Sequence, residues 1–426
     1  MNARAAVTGM GTVNSIGKNV REFAESLRLG RCGIGRLKSA AEPPISVEIG
    51  AEIMEFSLET MFRQYKHNGF PGDFQRYLMI CTHDAPLGVK LSVLSALEAW
   101  TRAQLPGKPI NPHRLAVITA GSNLSQNYHY GLLSGFRAAP RYLAPKYAIH
   151  YMDTDHVGTL SDIFKIRGEG FTVGGSSASG NVAVLKGFQL ICQGTADACL
   201  VVGALADLSP LELQGFYNVG AMGGKRFHHQ PGKACRPFDK DHEGFIYGQG
   251  CGALILESLT SVEKRGIPVL AEMLAGSLVL DGNRLPNPNE HGEARVMASA
   301  LKQAGIKPGD INYLNAHGTS SPIGDETEIK AIKQVFKEYI SNIWINSTKG
   351  LTGHCLTAAG VVETIALIIQ MQEGFVHPNL NLDNPIDDEC RFCPKESLPV
   401  PLNISMNNSF GFGGINTCLI FKNPKK

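Results

Sequence analysis

Short apolar, β-branched runs recur along this chain between Gly or Asn residues, and stretches of helical period separate them. The runs lie at 5–9, 115–120, 199–203 and 252–257, then again at 269–274, 311–315, 343–346, 403–406 and 417–421. Helical stretches lie at 20–29, 91–103, 179–193, 293–304 and 356–372. Strands that alternate with helices build layered α/β proteins, with helices covering the sheet faces. The two halves also rhyme. GGSSASG leads into the helix from Ser179, and GLTGHCLTAAG leads into the helix from Leu356. Each is a Gly-rich turn feeding a helix that starts with small residues and continues with apolar ones. A duplicated unit is expected, with an N-terminal half at 1–257 and a C-terminal half at 258–426. No low-complexity linker parts them, so the halves are expected to form one body. The long irregular stretches at 204–232 and 281–291 are placed as cover loops over a site.

The bulk numbers exclude more than they assign. A net charge of +2, with 18% charged residues, gives neither a nucleic-acid footprint nor a polybasic membrane segment. The opening MNARAAVTGMG lacks the apolar run of a signal peptide, and no stretch reaches the ~18 apolar residues of a membrane span. A cytoplasmic protein is expected. Ten cysteines are scattered, several inside apolar runs (Cys81, Cys192, Cys199, Cys251, Cys418), as suits buried thiols in a reducing compartment. Cys390 and Cys393 have metal-ligand spacing but no second pair nearby, so no metal is assigned.

Four segments carry the chemistry: VGGSSASG at 173–180, NAHGTSSPIGDETE at 315–328, NSTKGLTGHCLTAAG at 346–360 and NNSFGFGGIN at 407–416. Each puts a polar or reactive residue in a Gly-rich turn at the end of an apolar strand, where open α/β sheets bind ligands. Helix starts at such turns present backbone N–H groups that stabilise an enolate or a tetrahedral oxyanion. His317 and His354, with Lys349 five residues before the second, form a proton-handling and anion-stabilising set. Taken singly, each has a plain reading. GGSSASG is then a turn and helix cap, each His structural or solvent-facing, NSFGFGG a tight bend and Lys349 a surface charge. Their occurrence together, in one order, argues against that.

With AVTGMGTVNSIG at 6–17, CRPFDKDHEGFIYGQGCG at 235–252 and the terminal FGFGGINTCLIF, these segments resemble the β-ketoacyl synthases. The resemblance is to the elongating, carrier-protein-dependent type and covers nearly the whole chain. It implies a thiolase-type fold: duplicated halves, each with a five-stranded sheet, in a five-layer αβαβα sandwich, assembled as a homodimer. Aligning the Ser-Gly that ends the synthases' TACSSG-like motif with Ser179 and Gly180 puts Ser177 at the position of the condensing cysteine. His317 and His354 match the two catalytic histidines, Lys349 the lysine that orders the site, and Glu363 its carboxylate partner. Thr319 and Ser321 match hydroxyls that bind the pantetheine arm, and Asp325 matches a structural aspartate. Phe412 matches the gating phenylalanine, whose N–H joins that of Ser177 in an oxyanion hole. Lys225 and Arg226 follow GFYNVGAMGG at 215–224, which is similar to the entrance loop, and are placed on the pantetheine and carrier side.

The departures set the expected activity. A thiol at a helix N-terminus ionises at a pKa of about 3.5–7.5, whereas a serine hydroxyl needs a dedicated base. Loading of an acyl chain on Ser177 is therefore expected to be poor, while the histidines keep what decarboxylation needs. Malonyl-carrier protein should lose CO2 and leave as acetyl-carrier protein. The segment AGSNLSQNYHYG at 120–131 also crowds the expected acyl tunnel with Asn123, Gln126, Asn127 and Tyr128. The chain resembles the serine-bearing decarboxylating ketosynthases of polyketide β-branching cassettes. Its implied partners are an acyl carrier protein, whose phosphopantetheine carries the substrate, and through it an enzyme like hydroxymethylglutaryl synthase. No separate cofactor is implied. Two other readings stay open. One is an acyltransferase or thioesterase acylated on Ser177, with His317 or His354 as base. The other is a chain-length-factor-like, non-catalytic partner, which would not need His317, Lys349 and His354 together.

Overall fold

The structure is a computed structural model that describes residues 4–38, 44–53, 57–65 and 69–425. Among these residues, the first main-sheet strands are β1 (Ala5–Asn14), β2 (Leu115–Ala120), β3 (Gly170–Val173), β4 (Ala198–Gly203) and β5 (Gly250–Ser258). They line up as β1-β5-β4-β2-β3, with β2 parallel to β3 and β4, and β5 antiparallel to β4 and β1. A second set follows: β6 (Ala271–Leu280), β7 (Tyr313–Asn315), β8 (Trp344–Asn346), β9 (Ile404–Gly411) and β10 (Ile415–Lys422). Its order is β6-β10-β9-β7-β8, with the same pattern of directions. One motif is thus built twice. The two sheets also join along their first strands, Ala5 facing Met273, Ala6 facing Glu272 and Val7 facing Ala271, so they form a continuous ten-stranded ladder. The expected boundary at 257/258 falls at the end of β5.

The helices that matter for the site are α1 (Leu87–Arg102), α2 (Thr154–Phe164), α3 (Ser179–Cys192), α4 (Pro210–Asn218), α5 (Glu290–Ala304), α6 (Pro322–Phe336) and α7 (Ala359–Glu373). All residues of β1, β2 and β4 are buried, so these strands lack the alternation of apolar and polar residues that one solvent-facing side would give, as strands covered on both faces do. The sequence of α7, AGVVETIALIIQMQE, is buried nearly all round, which places it inside the molecule. With α3 it forms the middle layer between the two sheets. The outer layers are α1 and α2 on the first sheet and α5 and α6 on the second. The two central helices cross at their first turns. A Cβ on Gly180 would lie 2.8 Å from the backbone N of Gly360, and one on Gly360 would lie 2.5 Å from Asn181 Oδ1. That close approach explains the small residues at both helix starts.

All ten cysteines are unpaired. Cys390 and Cys393 are buried as apolar side chains of the core.

Candidate active site

The site forms where the strand ends of both halves meet the first turns of α3 and α7. Ser176–Ala178 makes a single 3-10 turn ahead of α3, and Leu356–Ala358 makes its counterpart ahead of α7. The first residue of each has a positive φ, 51° at Ser176 and 48° at Leu356. Side-chain-bearing residues rarely adopt that conformation, and it persists only where the surroundings impose it. Around Ser177 they do. Ser179 Oγ donates to Ser176 O at 2.7 Å, and Ser409 Oγ, from β9, donates to Ser177 O at 3.1 Å. Gly411, at the end of β9, comes so near that a Cβ there would lie 2.5 Å from Gly175 O. The first glycine of GFGG is thus required by contact with the Ser177 turn.

His354 Nε2 lies 3.0 Å from Ser177 Oγ. Its Nδ1 accepts the Leu356 backbone N–H at 3.3 Å. An amide N–H can only donate, so the neutral ring carries its proton on Nε2 and donates it toward Ser177 Oγ. Burial, and then the Lys349 charge, holds the His354 pKa well below the usual imidazole range. His317 stands edge-on to it, with ring centroids 5.6 Å apart at 82°. Burial, then Lys349 and His354, depresses its pKa in the same way. The backbone of His317 is held from three directions. Its N–H and that of Gly318 donate to the Glu328 carboxylate at 2.9 and 2.7 Å, and its carbonyl accepts from Lys349 Nζ at 2.6 Å. Lys349 also pairs with Glu363, and both are buried. Burial raises the Glu363 pKa while Lys349 pulls it back. Burial pushes Glu328 up to about 7 against the backbone bonds that favour its charged form.

Ser177, His317, His354 and Phe412 line one cavity of about 540 Å³, with Thr319, Ser321 and Asp325 along one wall. Asp325 is buried, accepting the Phe238 N–H at 2.8 Å and the Ser320 N–H at 3.1 Å, which ties that wall to the 238 loop. Both expected cover loops contribute: α4 and its flanks supply Leu208, Phe216 and Val219, and the 281–291 stretch supplies Asp281, Pro286 and Asn287. Ser122, Asn123 and Gln126 line the cavity as well. Asn127 and Tyr128 turn elsewhere. The Asn127 N–H bonds Asp207 O at 2.9 Å, and the Tyr128 ring packs edge-on against those of His129 and His150. Glu363 stands behind Lys349 rather than on the wall. Lys225 and Arg226 are not brought to the cavity either: both are exposed, and the Arg226 guanidinium pairs with Asp241 at 2.5 Å.

Sequence reasoning missed the groups beneath the site. Asn407 Nδ2 donates to Asn181 Oδ1 at 3.2 Å, Asn315 Nδ2 donates to Asn407 Oδ1 at 2.8 Å, and Thr348 Oγ1 donates to Asn315 Oδ1 at 2.8 Å. This buried network stitches the chemistry-bearing turns of both halves together. Asn315, Thr348 and Asn407 sit inside the quoted motifs and Asn181 one residue past the first of them, and a buried-strand asparagine such as Asn315 or Asn407 is itself a signal, since it needs a partner. Glu328 was also within a quoted motif, one turn beyond Asp325 on the same face of α6.

Residues 2–261 match the family model described as "Beta-ketoacyl synthase, N-terminal domain", and residues 270–383 match "Beta-ketoacyl synthase, C-terminal domain". The chain belongs to the β-ketoacyl synthase family. This ketosynthase is similar to the polyketide biosynthesis malonyl-ACP decarboxylase PksF of Bacillus subtilis (strain 168), with 37% identity over 420 residues, 99% of this chain and 96% of that protein. It is also similar to the 3-oxoacyl-(acyl-carrier-protein) synthase 2 of Synechocystis sp., with 33% identity over 424 residues and 98% of each chain covered. Among solved structures, the ishigamide ketosynthase/chain length factor aligns with a TM-score of 0.85 at 27% identity, covering 99% of this chain and 100% of that one. A type II PKS ketosynthase, in complex with its acyl-carrier protein and bound to the hexaketide, aligns with a TM-score of 0.84 at 25% identity, covering 99% and 100%. The thiolase-type architecture expected of a ketosynthase is the one observed. No helix among its described residues is long and apolar enough to cross a membrane.

Proposed function

We propose that this ketosynthase removes CO2 from a malonyl group carried on the phosphopantetheine of an acyl carrier protein and releases acetyl-carrier protein, with Ser177 standing where a condensing enzyme has its cysteine. The direction of the hydrogen bond between His354 and Ser177 carries this reading. With Nδ1 engaged by the Leu356 N–H, the ring donates from Nε2 and has no lone pair to take the hydroxyl proton. An acylated serine needs such a base, and decarboxylation does not. It needs neutral donors at the thioester oxygen, where charge collects as the C–C bond breaks. Two neutral imidazoles flanking the cavity fit that need. Lys349, through the carbonyl of His317, and Glu328, through its N–H, hold the second ring in place. The similarity to PksF supports the same reaction. A homodimer, a cytoplasmic location and supply of acetyl-carrier protein to β-branching in polyketide synthesis belong to this proposal. So does a carrier-facing role for the exposed Lys225 and Arg226.

Malonyl-carrier protein incubated without any acyl acceptor should be converted to acetyl-carrier protein, read as loss of one CO2 from the intact carrier mass. A carrier left malonylated by enzyme that is folded would sink the reading. Ser177→Ala should keep its turnover within about tenfold, since no covalent step passes through the hydroxyl. Loss of all turnover in a folded Ser177→Ala protein would shift the assignment to acyl-enzyme chemistry.

The pH dependence has a definite sign. Burial and Lys349 hold both imidazoles neutral well below their ordinary pKa of about 6.5. Lowering the pH from 8 to 6 should protonate neither ring, so the imidazole NMR shifts of both should stay flat through that range, while the Glu328 carboxyl, at about 7, titrates within it. An imidazole shift with its midpoint near 6.5 would show an ordinarily titrating histidine and contradict the donor role.

A further inference from the structure

Decarboxylation leaves an enolate whose carbon must gain a proton, and the two histidines are disposed as donors to oxygen. We propose that Glu293 is the acid that delivers this proton to the enolate carbon, directly or through one cavity water. The inference rests on the decarboxylase reading. Glu293 lies in the first turn of α5, its backbone N–H bonded to Asn289 O at 3.0 Å. The residue is only 1% exposed, yet it lines the same cavity as Ser177, His317 and Phe412. Its Oε2 is buried with no hydrogen-bond partner among the described residues. Leaving a buried polar group unpaired costs about 1–3 kcal/mol, so such a group calls for an explanation.

The surroundings explain its protonation state. The charged groups that act on it are Glu328 from α6, Asp281 just past β6, Glu290 on its own helix, and Asp325 from α6. All four are acidic. Burial first, then this like charge, raises the Glu293 pKa well above the usual carboxyl value, which keeps it a neutral O–H donor. Glu328 grips the backbone N–H groups of His317 and Gly318, which places Glu293 on the side of the cavity that carries His317. Asp281 is tied to the loop beside Phe412, its N–H bonded to Gly414 O at 2.9 Å and its Oδ1 accepting from Asn416 at 2.9 Å.

The step balances. The bond between C2 and the malonyl carboxylate breaks, CO2 leaves, and the electron pair spreads from C2 to the thioester oxygen. The Glu293 O–H then breaks and its proton joins C2, giving the acetyl thioester and a Glu293 carboxylate that takes up one proton from bulk solvent, the proton the overall reaction consumes. In a condensing enzyme an acid here would be harmful, because it would quench the enolate before it reached an acyl chain. In a decarboxylase the same acid completes turnover.

Until C2 is protonated, CO2 can return. The test therefore compares wild type with Glu293→Gln, using malonyl-carrier protein in the presence of ¹³C-labelled CO2, and follows both acetyl-carrier formation and label entering malonyl-carrier protein. Gln keeps the shape and removes a destabilised acid, so the fold should hold. A positioned acid contributes about 10²–10⁴ in rate, part of which water replaces. Acetyl formation is expected to fall at least about tenfold, with label exchange per acetyl formed rising by a similar factor. Glu293→Asp, which keeps an acid, should restore part of the formation and lower that ratio. Unchanged formation in Glu293→Gln, formation and exchange falling in proportion, or no recovery in Glu293→Asp would each overturn the role of Glu293. A wild type that never releases CO2 would overturn the decarboxylase reading itself, and this inference with it.

Discussion

His354→Ala is expected to slow CO2 release from malonyl-carrier protein by about 10²–10³, the usual effect of deleting one preorganised donor at a developing oxyanion. The ring contributes a single N–H, fixed in direction because Leu356 occupies the other nitrogen, so no rotation supplies a replacement. His317→Ala should lose a similar factor. Its backbone is held by Glu328 and Lys349, so the truncation removes the ring without moving the loop. Both rings act on one thioester oxygen, so the double variant should lose less than the product of the single losses. Single-turnover decay of the malonyl-carrier mass measures all three. A loss under about threefold in both single variants would mean that the backbone N–H groups near Ser177 and Phe412 do the stabilising instead.

Lys349→Met is expected to be the most destabilising change at the site, at about 3–5 kcal/mol. Removing one partner of a buried pair leaves the other charge uncompensated. Lys349 is 1% exposed and Glu363 2%, so water reaches neither. The variant also frees the His317 carbonyl and should lose activity together with stability. The linkage gives a further handle. Without Lys349 nothing opposes the burial that raises Glu363, so the folded protein keeps that carboxyl protonated above its unfolded pKa of about 4.5. An acid with a raised folded pKa imposes no penalty below the unfolded value and an increasing one as pH rises above it. The deficit of Lys349→Met against wild type should thus be smaller at pH 5 than at pH 8. Adding Glu363→Gln should recover part of it at pH 8. Denaturant midpoints at the two pH values check both points, and a pH-independent deficit would show that Glu363 is not the stranded charge.

The strands and helices legible in the sequence were those whose burial is uniform. The run at 115–120 coincides with β2, the stretch at 179–193 ends one residue beyond α3, and the pattern at 20–29 coincides with the helix Val20–Leu29. The strand β3 went unread because GFTV is four residues long, partly exposed and at the sheet edge, so it carries no apolar run. The helix α6 is absent from the helical stretches read in the sequence because it opens with PIGDETE, whose buried acids hide the helical period until Ile329. Within the site, the turns bearing Ser177, His317, Lys349, His354 and Phe412 were all legible, and the fold brings them to one place.

Sequence alone determined the duplicated α/β framework and the identity of the reactive side chains. Apolar periodicity, Gly-rich turns and motif order are local properties that survive in one dimension. Tertiary structure decided what those side chains can do. The direction of the His354 hydrogen bond depends on where the Leu356 N–H lies, and the depressed imidazole pKa values depend on burial and on Lys349. That Glu293 meets the cavity, while Lys225 and Arg226 do not, depends on how α5 and the 225 loop pack against the rest. Each is a distance between residues far apart in the chain or a degree of exclusion from water, and neither quantity exists until the two sheets have closed on the central helices.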